Sequence, residues 1–416
     1  MEKDLEKFDV VVIGGGPAGL IAAGRAAELG SRVLLLEKSA TLGRKLLITG
    51  KGRCNVTQAN CENNQFVEKL GKKGKFLYSA LSRFGFSDMI DFLNERGVET
   101  KVERGGRVFP SSDEAKDVLK ALRDYMNEGA VKIHTGKKVI QFNLKNGRID
   151  NIETQDGKIV ADKYIIATGG KSYPVTGSTG DGYQWAASMG HSIVEAEPAL
   201  VPVRTKDGIG GDLQGLSLKN VQINVVQDGK KVDSRFGEMM FTHYGLSGPI
   251  VLDVSKRIGE ALKDGAVAIE LDLKPALEFS QLEKRLQRDF EKNINKSFKN
   301  YLPDLLPRKM IGFFMKASGI DPEKNIGTIG KDERKKMTHL LKEMRFDIKE
   351  LLGFEHAIIT TGGVELKEVD SKTMQSRKVE NLYFAGEVLD LDAPTGGYNL
   401  QVCWSTGYAA GEGCAE

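Results

Sequence analysis

The stretch FDVVVIGGGPAGLIAAGRAAELGSRVLLLE, Phe8 to Glu37, decides the fold. Five of its first six residues are apolar, most of them β-branched, and glycine stops the run, the pattern of a strand buried on both faces of a parallel sheet. Pro17 opens a helix that Gly30 closes, and Ser31 to Glu37 returns as a second strand. Gly14-x-Gly16-x-x-Gly19 occupies the strand-to-helix turn, and Glu37 ends the next strand eighteen residues after Gly19. This is the spacing of a dinucleotide-binding βαβ unit. Gly14 permits the tight turn, Gly16 lets a pyrophosphate approach the helix N-terminus, and Gly19 lets helix and strand pack closely. Glu37 is expected to accept hydrogen bonds from an adenosine ribose, and its charge disfavours a 2′-phosphate. Pro17, Ala18 and Lys38 flank these positions and join the expected cofactor-lining set.

The next loop, GRKLLITGKGRCNVT from Gly43 to Thr57, concentrates cations and bare backbone. Arg44, Lys45 and Arg53 are suited to neutralise phosphate or stabilise an anionic reduced flavin. Gly43, Gly50 and Gly52 allow main-chain contact without side-chain bulk, and Lys51 is expected to face solvent. Cys54 reads as a small buried residue beside the cofactor; its alternatives are a redox pair with Cys61 or a lone reactive thiol. The six residues between Cys54 and Cys61 do not match the C-x4-C of flavin-linked dithiol enzymes.

Further along, KKVIQF, RIDNIET and KIVA form a β-meander with turns at Asn146-Gly147 and Asp156-Gly157. KYIIATGG returns to the buried-strand pattern, and its turn, Ala167-Thr168-Gly169, is expected to touch the cofactor. From about residue 196 alternating segments suggest a small antiparallel sheet or barrel, and after Pro275 the chain turns charged and helical. LYFAGE, Leu382 to Glu387, is again an apolar strand followed by Gly386 and the acid Glu387. Gly396-Gly397-Tyr398-Asn399 then opens the last helix, whose N-terminus can aim amides at flavin carbonyls. That combination favours FAD over NAD, and no second glycine fingerprint supplies a separate NAD(P) domain.

The fold expected is α/β: a glutathione-reductase-type FAD-binding Rossmann domain, parallel sheet with β-meander, carrying an inserted β-barrel-like subdomain and a helical cap. The boundaries expected are 1–194 with 344–416 for the discontinuous FAD domain, 195–275 for the antiparallel insert and 276–343 for the helical one. Among 416 residues, 60 Lys and Arg face 57 Asp and Glu, a formal charge of +3 that offers no strong field for nucleic acid or an anionic membrane. The apolar run from Val10 to Ala27 is broken by Gly-Gly-Gly-Pro and Arg25, so it reads as neither signal peptide nor membrane span. Four cysteines are too sparse for a disulfide scaffold, and a reduced, cytoplasmic setting is expected. No His, Cys or Asp cluster has metal-ligand spacing. His243, in MFTHYGLSGP, is a candidate proton donor.

GRKLLITGKGRCNVT, SYPVTGSTGDGY, FTHYGLSGP and LYFAGEVLDLDAPTGGYNLQ together resemble the bacterial BaiN-like flavoproteins, a family that includes an aminoacetone oxidase and NAD(P)/FAD-dependent oxidoreductases. The resemblance runs from about Phe8 to Gly411. It implies non-covalent FAD in a split domain, with Lys45, Arg53, Asn55, Gly386, Glu387, Tyr398 and Asn399 lining the cofactor and Val139 contacting adenine. Lys51 departs from the small or neutral residue that relatives often carry, which bears only on the local charge. The activity expected is hydride transfer between flavin N5 and a small organic substrate or a transiently docked NAD(P)H. A dithiol reductase using Cys54 and Cys61, or a non-catalytic FAD-binding protein, are the alternatives.

Overall fold

In the computed structural model, which describes residues 7–415 apart from Asn60, Ile209 and Gly210, the chain divides into two units. Met1–Pro198 and Ala357–Glu416 form the first; Ala199–His356 form the second. In the first, strand β1 (Phe8–Ile13) leads through the glycine turn into helix α1 (Pro17–Glu28) and returns as strand β2 (Val33–Glu37). The three sequence elements behave as their residues dictate. Val10, Val11 and Val12 are fully buried, as a central parallel strand requires. Pro17 occupies the first turn of α1, where its missing N–H costs nothing.

The parallel sheet runs in the order Leu382–Phe384, Ala161–Ile166, β1, β2, Lys132–Thr135. The C-terminal piece therefore completes the N-terminal sheet, with Ile165 opposite Tyr383 and Val12 opposite Ile165. The meander Val139–Lys145, Arg148–Thr154, Gly157–Ile159 forms its own antiparallel sheet. Asn146 and Gly147 both take positive φ (52° and 77°), as a two-residue hairpin turn with the right twist demands. Asn381 ties this meander to the main sheet: buried, it accepts from the Ile149 amide at 2.8 Å and donates to the Ile149 carbonyl at 3.0 Å.

The last helix, Tyr398–Ala415, lies against α1 because both faces are nearly bare. A Cβ on Gly407 would stand 2.4 Å from the Ala18 carbonyl oxygen, and one on Gly411 would stand 2.7 Å from that of Ala22. The other side of α1 receives Tyr125 of helix Ala115–Glu128, whose ring fills the space over Gly24.

The second unit is a closed six-stranded antiparallel barrel, in the order Val203–Thr205, Gly245–Ser247, Lys230–Phe241, Ser217–Gln227, Val267–Asp272, Met344–Leu351. Met344–Leu351 corrects the expected boundary at residue 344. This segment pairs with Val267–Asp272 on one side and Val203–Thr205 on the other, burying Met344, Phe346 and Ile348 while Arg345 and Lys349 point outward. The helices Phe279–Lys292, Arg308–Ser318 and Lys331–Lys342 belong to the same compact unit as the barrel rather than to a separate one. They share its core through Leu286, Phe314 and Leu341. Lys342 anchors the last of them: its ammonium, almost buried, meets Asp272 at 2.5 Å and the Leu277 carbonyl at 2.7 Å. Among the described residues no helix is long and apolar enough to cross a membrane.

Two stability tests follow from these contacts. Lys342→Met strands a buried Asp272 carboxylate, so urea unfolding should show a loss of about 3–5 kcal/mol; the double variant with Asp272→Leu should recover most of it. In the first unit His191 is wholly enclosed, between Glu368 at 3.1 Å and the Ser376 hydroxyl at 2.8 Å. Ser376 Oγ already accepts the amides of Lys378 and Val379, so its proton goes to the imidazole, and the trio braces two loops instead of arming a nucleophile. Burial holds the His191 pKa below its ordinary value, against the opposing pull of Glu368. The unfolded chain then binds the extra proton, so stability falls as pH drops through ~6.5. The melting temperature should decline between pH ~7 and ~5.5 more steeply than in a His191→Asn variant; equal slopes would show that His191 does not carry the dependence.

Candidate functional site

Three turns meet at the C-terminal edge of the parallel sheet, where open α/β sheets place their ligands. The first is the glycine turn. A Cβ on Gly14 (φ 112°) would lie 2.4 Å from the Ala167 carbonyl oxygen, and one on Gly19 would lie 1.9 Å from that of Gly14. Those two glycines are structural necessities of the crossing. Gly16 is different: its φ of −87° suits any residue, and nothing stands within 4 Å of the Cβ it lacks. Bare space therefore faces the N-terminus of α1, a twelve-residue helix with no capping side chain and no acid in its first turn. Pro17 and Ala18 begin that helix. Gly15, not singled out from sequence, is less constrained than Gly14: its missing Cβ would meet the tip of the Leu42 side chain at 2.5 Å and Glu37 at 3.2 Å, with no backbone in the way.

The second turn is Ala167-Thr168-Gly169. The Ala167 amide donates to Ile13 at 2.8 Å, continuing the sheet, and Gly169 takes φ 72°. The Thr168 hydroxyl is buried without a hydrogen-bond partner, an unmet polar group at this edge. The third is Gly386-Glu387. Gly386 (φ 76°) sits where a Cβ would touch that of Ala18 at 2.7 Å, so the C-terminal motif abuts the start of α1.

Glu37 is pinned by the backbone: its carboxylate accepts from the Gly15 amide at 2.8 Å and the Ser39 amide at 2.6 Å. Lys38 turns to Asp181 at 2.7 Å, linking the end of β2 to helix Asp181–Ser188. Val139 is buried at the start of the meander.

The basic loop divides its charges. Arg44 is exposed. Lys45 points inward to Ser172 Oγ at 2.7 Å and to Glu387 at 2.9 Å, and Glu387 also accepts from Ser172 Oγ (2.9 Å) and the Thr360 amide (2.8 Å). Arg53 is engaged by acids from elsewhere: Glu103 at 2.7 Å and Asp113 at 3.3 Å hold it, with its guanidinium 4.1 Å above Phe109. Its charge is largely cancelled where it stands, which the sequence reading did not foresee. Left-handed backbone at Gly50, Lys51, Gly52 and Cys54 (φ 58°, 62°, 86° and 63°) coils the loop, and Lys51 is exposed as expected of it. Cys54 is fully enclosed, and burial pushes its thiol up to about 12, so it is neither a thiolate nor a nucleophile near neutrality. All four cysteines are free, Cys54 and Cys61 among them.

Asn55 joins this loop to the last helix: its amide oxygen accepts from the Gly397 N–H at 2.9 Å while its NH₂ reaches Thr57 and Val108 carbonyls. Tyr398 is buried against Phe66, ring centroids 5.3 Å apart and nearly parallel, with the Lys69 ammonium 4.4 Å from its ring centroid and bonded to its hydroxyl. Asn399 is spent on the loop before it, accepting from the Ala393 amide and donating to the carbonyls of Ala393 and Pro394. His243 belongs to the second unit, exposed on the turn before Gly245–Ser247, its ring 4.6 Å from that of Tyr244. Sequence reasoning missed Ser172 and Thr360, although each lies beside a glycine-rich stretch that hinted at a turn near the site.

A protein-family model described as HI0933-like protein Rossmann domain matches residues 8–413. The 3-dehydro-bile acid delta(4,6)-reductase of Clostridium scindens is 33% identical, over 97% of this chain and 98% of its own length. A ribosomal RNA dihydrouridine synthase of Escherichia coli is 31% identical, over 99% of this chain and 98% of its own. The solved 3-ketosteroid-delta4-(5alpha)-dehydrogenase of Rhodococcus jostii superposes with a TM-score of 0.52 at 15% identity, covering all of this chain and 98% of that one. The parallel sheet with its glycine turn and the inserted closed barrel make this an FAD-binding Rossmann-type fold, and the chain belongs to the HI0933-like Rossmann family of flavoprotein oxidoreductases.

Proposed function

We propose that this chain uses non-covalently held FAD to reduce a carbon–carbon double bond conjugated to a carbonyl group. One observation carries the reading: two full-length relatives at over 30% identity bear names that differ in substrate yet share this chemistry. A delta(4,6) 3-oxo bile acid is a conjugated dienone, and dihydrouridine is uridine hydrogenated across the double bond next to a ring carbonyl. When bound, FAD supplies the electron pair as a hydride equivalent; everything else falls to the protein.

The residues fit such a group. The open space at Gly16 faces the unsatisfied amides of α1, which suit a diphosphate. Glu37, oriented by two backbone amides, keeps lone pairs for ribose hydroxyls. Lys45 points inward with its ammonium paired to Glu387 and bonded to Ser172, so it would offer a positioned N–H donor rather than a free charge to an electron-rich reduced ring. The amides at the start of helix Tyr398–Ala415 add a positive dipole end, with Asn55 fixing Gly397. Arg44, Gly52 and Thr168 complete the proposed lining; Arg53, Cys54 and Asn399 act by shaping the loops around it. Reduction of the double bond also takes a proton, for which His243 is the proposed donor, and NAD(P)H is the proposed source of electrons.

The experiment is anaerobic stopped-flow on protein reconstituted with FAD. The flavin should bleach with NADH or NADPH and reoxidise when a cyclic enone is added, whereas rapid reoxidation by oxygen with peroxide release and none by the enone would instead mark an oxidase. A pair of glycine variants tests the cofactor site. Gly16→Leu should fold with an unchanged apoprotein melting temperature but bind FAD at least tenfold more weakly, about 1.4 kcal/mol. Gly14→Ala should fail to fold, because a peptide oxygen occupies the space its methyl needs. Normal flavin content in Gly16→Leu would remove α1 from the site.

A further inference from the structure

We infer that the loop 171–179 is a strap over the cofactor groove of the first unit, latched at its ribose end, and that FAD enters and leaves only when that latch opens. The inference rests on the cofactor placement proposed above and is indifferent to the substrate. The two ends of the loop meet: the Gly180 amide donates to the Gly170 carbonyl at 3.1 Å. Glycines in left-handed backbone flank this neck, Gly169 at φ 72° and Gly180 at φ 80°. Chain that leaves and returns through one neck can swing as a unit without disturbing the sheet behind it.

Two clamps hold the loop down, one at each end of the proposed cofactor site. Beside Lys45 and Glu387, the wholly buried Ser172 bonds both side chains, and the amides of Lys171 and Ser172 donate to the buried Thr360 hydroxyl oxygen at 2.8 and 3.0 Å. Beside Glu37, a Cβ on Gly177 would stand 3.1 Å from Ser39 Oγ and 3.9 Å from a Glu37 carboxylate oxygen. Lys38 reaches across there, its ammonium donating to Thr179 Oγ1 and to Asp181 at 2.7 Å. Gly16 follows Gly15, which is bonded to Glu37, and precedes Ala18, which abuts Gly386. The open space at Gly16 therefore lies between the two clamps, along the run of the loop.

The clamps are unequal. The ring-side one is buried and multiply bonded, so it is the hinge. The ribose-side one is a side-chain latch near solvent: Lys38 and Asp181 keep 27% and 19% of their side chains exposed. An ion pair in that setting exchanges its partner for water at small cost. The segment between the clamps is built to move as one piece. Thr176 donates its amide and its hydroxyl to the Tyr173 carbonyl, at 2.9 and 2.8 Å, and the Gly177 amide donates to Pro174 at 3.0 Å. Tyr173, at φ 54° and ψ 58°, holds a left-handed conformation that a bulky residue before proline keeps only under constraint, so opening lets it relax. Val175 is 70% exposed and Tyr173 38%, so little apolar packing at the tip opposes the swing.

The test follows flavin fluorescence as full-length apoprotein takes up FAD and as loaded protein releases it on dilution. Thr179→Val with Asp181→Ala removes the latch and alters none of the residues proposed to hold FAD. Association and dissociation should both quicken about tenfold, the worth of one exposed ion pair and one hydrogen bond, with Kd within roughly threefold of wild type. Ser39→Cys with Gly177→Cys sets a Cβ and the opposite sulfur at disulfide reach. Oxidised after loading, this variant should hold its FAD through dilution; oxidised before loading, it should take up none; dithiothreitol should reverse both. Wild-type protein under the same oxidant controls for the four native cysteines. If thiol titration shows that the new pair does not close, the latch variant decides alone. Wild-type rates in the latch variant, a rise in dissociation without one in association, or free exchange in the locked protein would overturn the inference. Normal flavin content in Gly16→Leu would strike the cofactor placement itself, whereas weak binding there with wild-type exchange in the latch variant would strike the strap alone.

Discussion

The carbonyl oxygen of Gly14 stands 1.9 Å from where a Cβ of Gly19 would be, and the carbonyl of Ala167 stands 2.4 Å from the Cβ that Gly14 lacks. Neither contact tolerates a single added carbon. Together they press β1, the start of α1 and the end of strand Ala161–Ile166 into one crossing, and the position of every other turn at the sheet's edge follows from it. Gly386 reaches Ala18 because α1 begins where Gly14 puts it, and the bare flank of α1 then admits Gly407 and Gly411 of the last helix. The same crossing leaves Gly16 facing open space. Close packing on two sides of the turn is thus what makes room on the third.

Around that crossing, charge is arranged by pairing residues far apart in sequence. Lys45 and Glu387 are 342 positions apart yet 2.9 Å from each other, with Ser172 bonded to both. Each is only partly exposed, so the cluster is a low-dielectric ion pair whose lone pairs and protons are mostly assigned. Arg53 shows the contrary outcome: Glu103 and Asp113 take its charge into a network on the loop's outer side. A basic loop of uniform appearance is therefore split by its partners into one ion pair turned inward, one held by Glu103 and Asp113, and two charges left exposed.

That split marks the boundary of what the sequence makes legible. The strand, turn and helix from Phe8 to Glu37 are local, and spacing alone specifies them, as it does the Asn146-Gly147 hairpin and the small-residue last helix. The three helices after Pro275 also follow from periodicity. The barrel's closing strand was less readable. Met344, Phe346 and Ile348 alternate with Arg345, Asp347 and Lys349 as a half-buried strand should, but its partners lie about 80 and 140 residues upstream, and no local rule assigns a strand to one domain or another. For the site the same limit applies. Gly14, Gly16 and Gly19 are legible because backbone geometry dictates them, whereas the fate of Arg53, or the service of Asn399 to its own loop, depends on which groups the fold brings opposite.

The residues proposed for the cofactor and the inserted barrel lie in different units of this chain. Delivery of a hydride to a conjugated carbon requires a flat substrate edge and an electrostatically prepared cofactor, and neither demand depends on the size of the molecule that carries the edge. The residues suited to prepare the cofactor all lie in the unit built from the two ends of the chain. The insertion between them carries no part of the glycine turn, the Glu37 edge or the Lys45 cluster, and its share of the proposed chemistry is His243. Leu282, Leu286 and Phe290 would hold the helix equally well beneath a neutral face. Lys284, Arg288 and Lys335 lie on the solvated side of that packing, where charged residues are the ordinary choice.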